Sequence, residues 1–73
     1  MQNDASTLRR DRLLAVSKEI AMHLKDHPRA FDMATWASFN IGLSMPKARE
    51  YVELVCRAHG WIIEDGIIKL GAT

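Results

Sequence analysis

Leu13, Val16, Ile20 and Leu24 recur three or four residues apart, the spacing that gathers side chains on one face of an α-helix. The pattern predicts a first helix over about 6–26, capped by Ser6 or Asp4, with the first five residues frayed. His27-Pro28 ends it, because the residue before a proline is pushed out of the α region. Asp32 is the next capping residue, opening a short helix over about 33–40 that carries Met33, Ala34, Trp36 and Ala37. Gly42 then permits a sharp turn, and Leu43 is an apolar plug behind it. Ser44 caps a third helix over about 45–59, with Pro46 in the first turn, where its missing N–H costs nothing. Ala48, Val52 and Val55 are its inward positions, and Gly60 stops it.

Beyond Gly60 the period shortens. Trp61-Ile62-Ile63-Glu64 and Ile67-Ile68-Lys69-Leu70 flank Asp65-Gly66, a strong signal for a two-residue hairpin turn over strands 61–64 and 67–70. That turn pairs Glu64 with Ile67 and fixes the register. One face then holds Trp61, Ile63, Ile68 and Leu70, and it is expected on the core. The other holds Ile62, Glu64, Ile67 and Lys69. The expected fold class is mainly α with a small β-hairpin, a single domain over 6–73.

This order of elements resembles a winged helix-turn-helix DNA-binding domain of the small bacterial and archaeal regulator type. The run I-G-L-S-M-P-K-A-R-E-Y-V-E-L-V, Ile41 to Val55, resembles the turn and recognition helix of that superfamily. The run H-G-W-I-I-E-D-G-I-I-K-L, His59 to Leu70, resembles its wing. One departure is Ser38, four residues before Gly42, where the superfamily commonly has alanine. Members mostly bind double-stranded DNA, while a minority mediate protein contacts only. The resemblance implies a third helix that enters the major groove by its N-terminal half, with Met45, Lys47, Arg49, Glu50 and Glu53 outward. Arg49 would reach a guanine edge and Lys47 a phosphate. Arg57, nearer the C-terminal end, would meet the backbone or a carboxylate, and the Ser44 cap would present amides to a phosphate.

Composition tempers this picture. Seventy-three residues suffice for one domain, and 48% apolar with 26% charged residues is globular usage, far from disorder. A lone cysteine, Cys56, leaves no internal disulfide and fits a reducing cytosol. No signal peptide or bilayer-length apolar run is read, so a soluble cytoplasmic protein is expected, nucleoid-associated if it binds DNA. The net charge is only +1, with the positive excess early in the chain, chiefly Arg9, Arg10 and Arg12. Strong nucleic-acid binders show a clearer basic patch. Glu50 and Glu53 oppose phosphates, although a glutamate can accept from cytosine N4; an Arg49–Glu53 pair one turn apart is an equal alternative. The wing tip Glu64-Asp65-Gly66 is short and acidic, so the wing is expected to add little DNA contact.

Two groups of apolar residues fall outside the core pattern. Leu8, Ala15 and Met22 recur every seven residues on a second face of the first helix. Ile62 and Ile67 lie on the outward hairpin face, either as partly covered surface or as a partner contact. Together they suggest a homodimer or a protein partner, with Arg9, Arg10 and Arg12 flanking the DNA. His23 with His27, and Cys56 with His59, have spacings that can hold a metal, but neither CxxC nor HExxH accompanies them. No metal or cofactor is therefore expected. Cys56 reads as a small buried apolar residue, and His59 as a cation on the helix C-terminus. No GxSxG or P-loop motif is present, and catalysis is not expected. The leading reading is a dimeric, sequence-specific DNA-binding transcriptional regulator. The alternatives are a protein-interaction module without DNA affinity and a nonspecific architectural DNA-binding protein.

Overall fold

Ile20, Ile68, Val16 and Val52 are the largest side chains wholly withdrawn from solvent, and they come from three different elements. The computed structural model describes residues 5–71, with side chains from Thr7 onward. Helix α1 spans Ala5–His23 and runs into a 3₁₀ turn, Leu24–Asp26. Helix α2 spans Ala30–Ile41 and α3 Met45–His59; strands β1 (Trp61–Glu64) and β2 (Ile67–Leu70) form an antiparallel hairpin. Three helices and a two-stranded sheet make a mostly helical, winged-helix-like layout. No helix among the described residues is long and apolar enough to cross a membrane.

The core face of α1 is the expected one. Val16 and Ile20 are buried, and Leu13 and Leu24 pack against the same cluster. The ends of the helix differ from expectation. Ala5 is already helical, whereas Asp4 and the rest of the expected frayed segment, and the capping side chain of Ser6, lie outside the described residues. Regular α structure stops at His23, three residues before the expected end. Pro28 forces His27 out of the helix, and His27 takes a left-handed conformation (φ 53°) with its N–H donated to the Leu24 carbonyl.

Asp32 does not cap α2. The helix starts three residues earlier than expected, at Ala30, with Arg29 extended in the capping position and no side chain serving as a cap. A tertiary contact overrides the local signal. Ile68 N–H donates to the Pro28 carbonyl, and Ala30 N–H donates to the Gly66 carbonyl, each at 2.8 Å. Residues 28–30 therefore lie along the open edge of β2, with Arg29 bridged to Ile67, and this pairing sets where α2 begins. Asp32 falls in the first turn, where its charge suits the helix dipole.

The hairpin has the expected register, Trp61 opposite Leu70 and Glu64 opposite Ile67. Asp65 (φ 55°) and Gly66 (φ 77°) both take the positive angles that a tight two-residue turn demands. Its expected core face is only partly used. Ile68 is buried and Trp61 half-buried, but Ile63 is 38% and Leu70 70% exposed. The helices close over Ile68 and leave Leu70 at the rim of an open groove of about 650 Å³ beside Met22 and Leu24. Ile67, expected outward, is half-buried by its bridge to Arg29.

After β2 the chain passes close to the end of α3. A Cβ on Gly71 would collide with the Gly60 carbonyl oxygen, a backbone atom with no freedom to step aside. Gly71→Ala is therefore expected to destabilise by about 1–3 kcal/mol. In so small a domain that lowers Tm by roughly 4–8 °C per kcal/mol, which thermal unfolding followed by circular dichroism would read. An unchanged Tm would show that the approach is not kept in solution.

Candidate nucleic-acid interface

The α2–α3 turn decides where α3 points. Gly42 takes φ 83° and its N–H closes on the Ser38 carbonyl at 3.1 Å, while Leu43 is buried beneath. Ser38, the residue that departs from the superfamily's alanine, donates its hydroxyl to the Leu43 carbonyl at 2.7 Å. It ties the end of α2 to the turn that leads into α3, a bond alanine could not make. Ser44 then caps α3, its hydroxyl accepting from Lys47 N–H at 3.4 Å. Ala48, Val52 and Val55 are buried as expected, and so are Tyr51 and Cys56.

Lys47, Arg49, Glu50, Glu53 and Arg57 are all exposed on α3. Met45, expected outward with them, is half-buried and packs against the core. An unbranched apolar side chain at the helix start fills space there better than it meets water. Lys47 donates to Glu50 at 3.3 Å, with both side chains about half exposed. The alternative pair, Arg49 with Glu53, is not formed: neither makes an ion pair with any described residue. Two positions apart on a helix, Lys47 and Arg49 point to different flanks. Arg49 and Glu53 share one flank and line a groove of about 330 Å³ with Phe31, Val52 and Ile63. Arg57 and Glu53 border a shallower hollow near Trp61.

Two neighbours of this groove were not anticipated. Arg29 is exposed beside β2, and Phe31 is 65% exposed in the first turn of α2. The only sequence signal was a cation and an aromatic following Pro28, between the ends expected for the first and second helices. On α1, Arg9 lies over the Tyr51 ring, 5.8 Å from its centre, which couples it to α3. Arg10 is exposed and Arg12 half-buried. The wing carries its own charge pair, Lys69 to Glu64 at 2.9 Å, and that bond and charge hold the Glu64 carboxyl below its ordinary value. The dimer candidates separate into exposed Leu8, Met22 and Ile62 and half-buried Ala15 and Ile67.

His23 and His59 have other partners. His23 meets Glu19 at 3.0 Å. His59 is bonded to the Ser17 hydroxyl at 2.6 Å and stacks on Trp61 with ring centres 4.2 Å apart, joining α1, α3 and β1. Burial, helped by the Glu53 charge, pushes the Cys56 thiol up to about 11, so it is a neutral thiol near pH 7. Among the described residues no three His, Cys, Asp or Glu side chains are gathered to hold one ion. Comparison with protein-family models, curated proteins and solved structures returns no match to this chain.

Two outcomes follow from these contacts. Ser38→Ala is expected to lower stability by about 0.5–1.5 kcal/mol, measured by denaturant unfolding. For Cys56, the raised folded value means that its contribution is fully present below the ordinary 9.0 and lost as pH rises through about 11. Unfolding free energy measured against pH should fall across that window, and Cys56→Ala should flatten the fall. An equal slope in both proteins would reject this role.

Proposed function

We propose that this chain is a winged helix-turn-helix DNA-binding regulator, acting as a homodimer and reading double-stranded DNA with the N-terminal half of α3. The observation that carries the reading is Arg49, exposed on α3, without an ion partner among the described residues, and beside the groove it shares with Glu53 and Phe31. A free guanidinium can bond a guanine edge bidentately, and Glu53 can accept from a cytosine amine. Lys47 and Arg29 suit phosphates, as do Arg9 and Arg10 on α1. The wing tip, acidic and tied by Gly66 to the start of α2, contributes little. Such a protein acts by occupying its site, without catalysis, in the cytoplasm on the nucleoid.

A protein-interaction module without DNA affinity is the second reading. It is favoured by Phe39 and Leu70, 84% and 70% exposed, and by Glu50, which already engages Lys47. A third, nonspecific architectural binding, differs only in how it discriminates.

Selection from a random-sequence DNA pool at near-physiological salt separates the three. An enriched palindromic motif supports the dimeric regulator. Binding with steep salt dependence and no motif indicates the architectural role. Folded protein that retains no DNA indicates the interaction module. Arg49→Ala is expected to weaken specific binding by about 1–3 kcal/mol and to relax discrimination at one base position, with Tm nearly unchanged. Glu50→Gln, which removes a carboxylate and releases Lys47, is expected to tighten binding and steepen its salt dependence; unchanged affinity would take Lys47 out of the interface.

A further inference from the structure

Helix α1 buries one face and leaves a second that is apolar yet uncovered. Val16 and Ile20 are buried, while Leu8, Leu14 and Met22 are 48%, 58% and 59% exposed. Leu8, Ala15 and Met22 stand two turns apart in line, and Asp11 and Lys18 fall between them on the same side. Neither Asp11 nor Lys18 forms an ion pair with another described residue.

We propose that this face is covered by the same face of a second copy, with the two α1 helices antiparallel about an axis passing Ala15. At about 1.5 Å of rise per residue, residues whose numbers add to roughly 29 or 30 then lie at the same height. Ala15 meets Ala15 of the second copy, and its small side chain lets the helices approach closely. Leu8 meets Met22, and Asp11 meets Lys18, each pair occurring twice by symmetry. A parallel arrangement would instead set Asp11 against Asp11 and Lys18 against Lys18. The charges therefore select the antiparallel one. Beside Met22 the face opens into the groove under Leu70, and Leu8 of the second copy, at that height, enters it. This inference rests on the dimeric reading above and is independent of DNA binding.

Sedimentation equilibrium of the whole chain without DNA tests it. Wild type is expected to dimerise, and Met22→Glu to be monomeric at the same concentration. Asp11→Lys and Lys18→Asp should each weaken the dimer about tenfold, and the double variant should restore it to within about threefold. All three positions are exposed, and an unchanged far-ultraviolet circular dichroism spectrum would confirm intact folding. A wild-type dimer indifferent to all these substitutions would overturn the α1 pairing while leaving dimerisation itself standing. A wild type that stays monomeric at high concentration would overturn both. Loss in the single charge variants without recovery in the double would overturn the antiparallel register.

Discussion

The two backbone hydrogen bonds between the Pro28–Ala30 segment and β2 constrain more of this molecule than any side chain does. Ile68 to Pro28 and Gly66 to Ala30 lock the hairpin onto the connection between α1 and α2. They set the first residue of α2, carry Phe31 to the flank of α3, and hold Ile68 over the core. A hairpin of two four-residue strands is marginal alone in water. Here its inner strand has partners on both edges, which is how so short a sheet persists.

The helices of the core were readable because their signals are local. The period of Leu13, Val16, Ile20 and Leu24, the Ser44 cap with Pro46 behind it, and the Asp65-Gly66 turn each depend on neighbours within a few residues. What could not be read depends on distant ones. Asp32 is a good capping residue, yet the start of α2 is decided by a strand nearly forty positions away. Alternation placed Leu70 and Ile68 on one face correctly, but it cannot say that the helices shelter only one of them.

The candidate site divides in the same way. The resemblance implied that Lys47, Arg49, Glu50 and Glu53 point outward, and they do, whereas their pairing was not legible. Both Glu50 and Glu53 lie within reach of a cation on the same helix, and rotamers decide that Lys47 is neutralised while Arg49 is left open. That choice leaves an unpaired guanidinium on one flank of α3, next to an aromatic ring donated by α2. Arg29 and Phe31 escaped notice because a residue after proline in a connection carries no period.

The stitched turn also bears on how such a protein can change over generations. In many hairpins the tip is the part most tolerant of insertion, so contacts are gained by lengthening it. Here the tip carbonyl of Gly66 is spent on Ala30, and any added residue would have to release the first turn of α2. Under the proposed DNA-binding reading, new specificity is therefore more accessible by exchanging side chains at Arg29, Phe31, Arg49 and Glu53 than by growing the hairpin. The short hairpin is an evolutionary boundary condition as much as a structural element.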